Sequence, residues 1–81
     1  MSITIELDLT DTVSFLSLLK CRKELSQMGA GDSLEVIMDD QDMAKDLIKI
    51  IHRSNDRVTN QSQDGGRYKI CLTKGNNQGG R

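Results

Sequence analysis

Ser14 stands at the most chemically suggestive point of the chain. An apolar segment ending Leu7-Asp8-Leu9 hands over through Thr10-Asp11-Thr12 to an amphipathic stretch that runs to Met28. A strand that passes into a helix exposes unpaired backbone N–H groups and the positive end of the helix dipole, which suits an anion or a thiolate. Serine at that point offers only a hydroxyl, whose pKa is far too high for attack without an adjacent base. The sole histidine, His52, falls near the end of a different helical stretch. The expected role of Ser14 is therefore helix capping, and no catalytic residue is expected. Two thiols remain. Cys21 lies on the apolar stripe of the first helix, where a cysteine acts as a small inert hydrophobe. Cys71 lies in the last strand with Lys69 and Thr73 on its side and Ile70 and Leu72 opposite, so its sulfur faces away from the apolar row.

Other groupings reduce to structure. Asp39, Asp40 and Asp42 crowd the start of a second helix, where capping and the dipole favour acids; the segment lacks the glycine and terminal glutamate of a calcium loop. One histidine and two distant cysteines have no metal-ligand spacing, so neither metal nor cofactor is expected. Lys20, Arg22 and Lys23 form a small basic face, better suited to solvent than to RNA. With a net charge of −1 and Phe15 and Tyr68 as the only aromatics, neither an electrostatic footprint nor a stacking platform for nucleic acid is present.

The elements that position these residues follow from periodicity. A chain of 81 residues, 36% hydrophobic and 28% charged, is sized for one soluble domain with a thin core. Ile3, Ile5, Leu7 and Leu9 alternate with polar residues, the mark of a half-buried strand. Thr12 or Asp11 is expected to cap a helix with Leu18, Cys21, Leu25 and Met28 inward and Phe15 one turn earlier. Gly29-Ala30-Gly31-Asp32 ends it with a left-handed cap. Ser33 to Met38 is a second strand. Met43, Leu47, Ile50 and Ile51 form the stripe of the second helix, with Ala44 and Ile48 at its flanks and Asn55 as its left-handed cap. Arg57 to Gln63 reads as a polar third strand, Asp64-Gly65-Gly66 as a hairpin turn, and Tyr68 to Thr73 as a fourth strand. The order β-α-β-α-β-β implies an α+β fold, a two-layer sandwich with both helices on one face of a mixed four-stranded sheet. Residues 75–81 have nothing to bury and are expected to form a disordered tail. Short apolar runs, an N-terminus without a signal-peptide pattern and only two cysteines point to the cytoplasm and to no membrane.

From Ile5 to Lys74 the chain resembles the TusA/SirA-like family of small sulfur-carrier proteins. Leu7-Asp8 matches the family opening, and Lys20-Cys21-Arg22-Lys23-Glu24-Leu25 resembles its Lys-Thr-Arg-Lys-Ala-Leu. Leu34-Glu35-Val36, Asp39-Asp40 and Asp46-Leu47 resemble its second strand and helix entry, and Asp64-Gly65 with Tyr68 its closing hairpin. The resemblance implies a domain over residues 1–74. It also places the family's persulfide-bearing cysteine on Ser14, and the two prolines of its Cys-Pro-x-Pro motif on Phe15 and Ser17. Further family prolines fall on Gln41 and Ile48, and a glycine-histidine pair on Asn55-Asp56. The scaffold is kept and the chemistry is lost, since a serine cannot form a persulfide.

Two functions from different classes follow. One is a non-catalytic interaction or regulatory module that binds a protein partner, a sulfur-handling or regulatory protein, through Ser14, Phe15 and Ser17 at the start of the first helix. The other is a sulfur-transfer protein that has moved its persulfide to Cys21 or Cys71, which requires an exposed thiol of lowered pKa. RNA binding is a third, weaker alternative.

Overall fold

The computed structural model describes residues 3–10, 12 and 14–75, and of Ser14 and Phe15 the backbone alone. The elements are β1 (Thr4–Asp8), α1 (Ser14–Ser26), β2 (Ser33–Met38), α2 (Gln41–His52), β3 (Arg57–Asp64) and β4 (Arg67–Thr73). The sheet runs β1-β2-β4-β3, with β1 parallel to β2 and the other neighbours antiparallel. A mixed four-stranded sheet with two helices, in the order β-α-β-α-β-β, is the expected α+β architecture.

Register explains where the core sits. Ile5, Leu34, Leu72 and Val58 form one row across the four strands, and Leu7, Val36 and Ile70 form the next. These rows share a face because strand side chains alternate. On them pack Cys21, Leu25 and Met28 of α1 and its exit, and Met43, Ala44, Leu47 and Ile51 of α2. The opposite face carries Glu6, Glu35, Ile37, Lys69 and Cys71, none of them fully buried.

Several expectations shift in detail. Ile3 precedes β1 and is 55% exposed, although its backbone is bonded to Asp32 and Ser33, because it lies beyond the end of the core rows; Leu9, at the other end, is buried. Ile50 is 36% exposed and Ala44 is buried, so the stripe of α2 is Met43-Ala44-Leu47-Ile51. One residue of helix rotates a side chain by about 100°, which turns Ile50 off the stripe that Ile51 occupies. Gly29 is not left-handed; the positive φ falls on Gly31, at 90°. Nor is Asn55 left-handed, since α2 closes through Arg53 at φ −92°, whose N–H donates to the carbonyls of Ile50 and Ile51.

The turns do follow the local chemistry. Gly65 and Gly66 have φ of 58° and 86°, the pair of positive values that a two-residue hairpin between right-twisted strands requires. Asp40 caps α2, its carboxylate accepting from the N–H groups of Asp42 at 2.9 Å and Met43 at 3.2 Å. Asp40→Ala is expected to lower stability by about 0.5–2 kcal/mol, measured as a shift of the urea midpoint at constant slope.

Gly75 belongs to the fold and not to the tail that was expected to begin there. Its N–H donates to Asp56 Oδ1 at 2.8 Å, and a Cβ built on it would collide with the Asn55 carbonyl oxygen. The preceding residue is fastened as well, with Lys74 N–H donating to Asp32 O and Lys74 O accepting from Gly31. Residues 76–81 of the expected tail lie outside the described residues.

Candidate functional site

The strand-to-helix handover is built by a tight local network. Asp8 Oδ1 accepts from the Thr10 N–H at 3.0 Å and the Thr10 hydroxyl at 2.7 Å. Those two bonds, backbone first, hold the Asp8 carboxyl below the usual carboxylate range. Leu9 N–H donates to Ile37 O and Leu9 O accepts from Thr12 N–H, so the chain turns as it leaves the sheet edge. Ser14 is the first residue of that helix. Asp11, the alternative cap, lies outside the described residues, as do the side chains of Ser14 and Phe15.

Ser17 corrects one expectation. It is 4% exposed, sitting one turn before Cys21 on the inward stripe of α1. Its side chain is thus turned away from the exposed face of α1. The outward residues of the same helix are ones that the sequence reading passed over. Leu19 is 55% exposed and Leu16 is 38% exposed, beside the exposed Lys20, Arg22 and Lys23. The signal was available, because at 3.6 residues per turn Leu16 and Leu19 project nearly opposite Cys21. Between α1 and α2 runs a groove of about 340 Å³, walled by Leu18 and Ile50 and edged by Arg22 and Lys74.

Both thiols are disfavoured as thiolates. Cys21 is fully buried, and desolvation pushes its pKa up to about 12. Cys71 lies on the open face, as the strand alternation indicates, and is partly exposed. Its pKa is raised too, by partial burial and then by the charge of Glu35, to which its thiol donates at 3.8 Å. Lys69 Nζ lies 3.9 Å from the same carboxylate, so the nearest cation is engaged by Glu35. The two cysteines are both free and stand on opposite sides of the sheet. His52 closes α2 and is exposed.

The family model described as sulfurtransferase TusA matches residues 5–74. The chain belongs to the TusA family. Proteins of this family interact with other proteins in sulfur relay, and the chain thus carries a fold related to sulfur trafficking. A crystal structure of a SirA-like protein from Desulfitobacterium hafniense aligns with a TM-score of 0.75, covering 90% of this chain and 97% of that one. At 23% identity that likeness speaks for the fold alone. No curated protein sequence matches the chain. No helix among the described residues is long and apolar enough to cross a membrane.

Proposed function

We propose that this TusA-family chain is a non-catalytic interaction module. It docks a protein partner of the sulfur-handling or regulatory kind through the outer face of α1, the helix that Ser14 and Phe15 open, and it acts in the cytoplasm. The observation that carries this reading is the contrast between its thiols and its surface. The resemblance puts Ser14 at the family's cysteine position, Cys21 is buried in the core, and Cys71 shares its surroundings with a carboxylate. Beside them α1 exposes Leu16 and Leu19 amid Lys20, Arg22 and Lys23. Apolar side chains ringed by charge suit a protein interface, with the leucines as anchors and the cations selecting an acidic rim.

The test is calorimetric titration of the full chain against a cysteine desulfurase and the other sulfur-relay proteins of the same organism. Leu19→Glu and Arg22→Glu are each expected to weaken the complex by about tenfold or more, without loss of helical circular dichroism. Absence of binding to every relay protein, or binding that both variants retain at full strength, overturns the reading.

A further inference from the structure

We infer that the outer edge of β3 is a self-association edge, pairing antiparallel with β3 of a second copy of this chain about a two-fold axis at Ser62. The surface lies in the sheet, apart from the α1 face, and the inference stands independently of the proposed function. In the order β1-β2-β4-β3, strand β3 has a neighbour on one side only. It is eight residues long, and from Val58 to Gln63 it carries no charge and no proline, two of the devices by which edge strands discourage pairing. The other edge, β1, is five residues long and carries Glu6 and Asp8. Pairing of β1 with itself about its centre would set Glu6 against Glu6.

The bulge between Val58 and Asn60 confines regular pairing to Asn60–Asp64. Within that segment the Gln61 N–H donates to Asn60 Oδ1 at 2.9 Å and is not spent on β4. Antiparallel ladders alternate, so Gln61 and Gln63 turn their backbone groups outward and Ser62 turns its own inward. An antiparallel partner centred on Ser62 opposes Gln61 to Gln63 and Gln63 to Gln61, which matches the outward groups of both copies. Asn60 then opposes Asp64, so no like charges meet. The side chains of Gln61 and Gln63 also line a groove of about 300 Å³ floored by Ala44, Ile48 and Ile70. The same glutamines of the second copy meet them at its mouth, where each amide both donates and accepts. The bond from Gln61 to Asn60 is given up and replaced by one to the partner's backbone.

A pairing of this length gives a weak dimer, so sedimentation equilibrium of the full chain is the measurement. The mass is expected to rise from 9.0 kDa toward twice that value. The rise should fall between roughly 10 µM and 1 mM. Ser62→Glu faces Lys69 within its own chain, which suits the monomer, and faces its own copy across the axis. It is expected to weaken association by about tenfold or more. Ser62→Cys in a Cys71→Ser background is expected to form an intermolecular disulfide on mild oxidation, since opposed side chains at a non-hydrogen-bonded position lie close enough to bridge. A chain that stays monomeric throughout the range, or a dimer indifferent to Ser62→Glu and not cross-linked through residue 62, overturns the inference.

Discussion

Leu34→Ala is expected to destabilise the protein by about 2–5 kcal/mol, a large share of what a domain of this size possesses. Leu34 has no exposed surface and sits near the start of β2, between Ile5 on one side and Leu72 on the other. The loss combines the transfer free energy of the removed carbons with the cavity they leave. It is flanked by β1 and β4 within the buried core cluster, so the hole has little freedom to collapse. Urea unfolding followed by circular dichroism gives the number. A value below about 1 kcal/mol would mean that the core around Leu34 is not packed as described. Leu16→Ala, on the exposed side of α1, is the contrasting variant and is expected to stay within about 0.5 kcal/mol of the parent.

The second large effect concerns Cys21. A thiol held near 12, against 9.0 for the ordinary group, is roughly a thousandfold poorer in thiolate at neutral pH. Iodoacetamide at pH 7 is therefore expected to modify Cys71 first and to leave Cys21 unlabelled until the chain unfolds, as followed by peptide mass mapping. The same shift has a consequence for stability, with a definite sign. Below pH 9 the folded and unfolded chains both hold the proton. Between about 9 and 12 the unfolded chain releases it and the folded chain does not, so stability falls as pH rises, by at most about 1.4 kcal/mol per pH unit. Above 12 both states have lost the proton and this contribution no longer changes. Cys21→Ala is expected to remove that slope. A slope unchanged in the variant would place its cause in another group.

Much of this fold is legible in the sequence because period-two and period-3.6 patterns report burial directly. Leu34, Val36 and Met38 alternate as they must on a strand with one covered face, and Asp64-Gly65-Gly66 supplies the positive φ values of a tight hairpin. The family resemblance, with the relation to sulfur trafficking that it implies, was likewise carried by residues in order along the chain. What the patterns missed depends on rotation and on contacts between distant segments. Ile50 is apolar like its neighbour Ile51, and only the angle of α2 against the sheet decides which of them is buried. The family's Cys-Pro-x-Pro motif puts Ser17 on the partner-facing side, yet the spacing to Cys21 puts it on the inward stripe, where it is buried. Gly75 resembled the start of a glycine-rich tail, and its packing against Asn55 depends on residues twenty positions away. At the candidate site, the position of Ser14 at the head of α1 was readable; the carboxylate beside Cys71 was not, because the pairing of β2 with β4 brings Glu35 there.

The absence of a working thiol is tested most directly by intact mass after incubation with a cysteine desulfurase and cysteine, without reductant. A TusA-family protein that bears the cysteine serves as the control and is expected to gain about 32 Da, one sulfur atom, in a form that dithiothreitol removes. This chain is expected to show no such gain, because Ser14 cannot hold sulfur, Cys21 is sealed and Cys71 is disfavoured as a thiolate. A gain of one sulfur that is reversed by dithiothreitol and lost in either Cys21→Ser or Cys71→Ser would contradict the non-catalytic reading and make this chain a carrier with a displaced thiol.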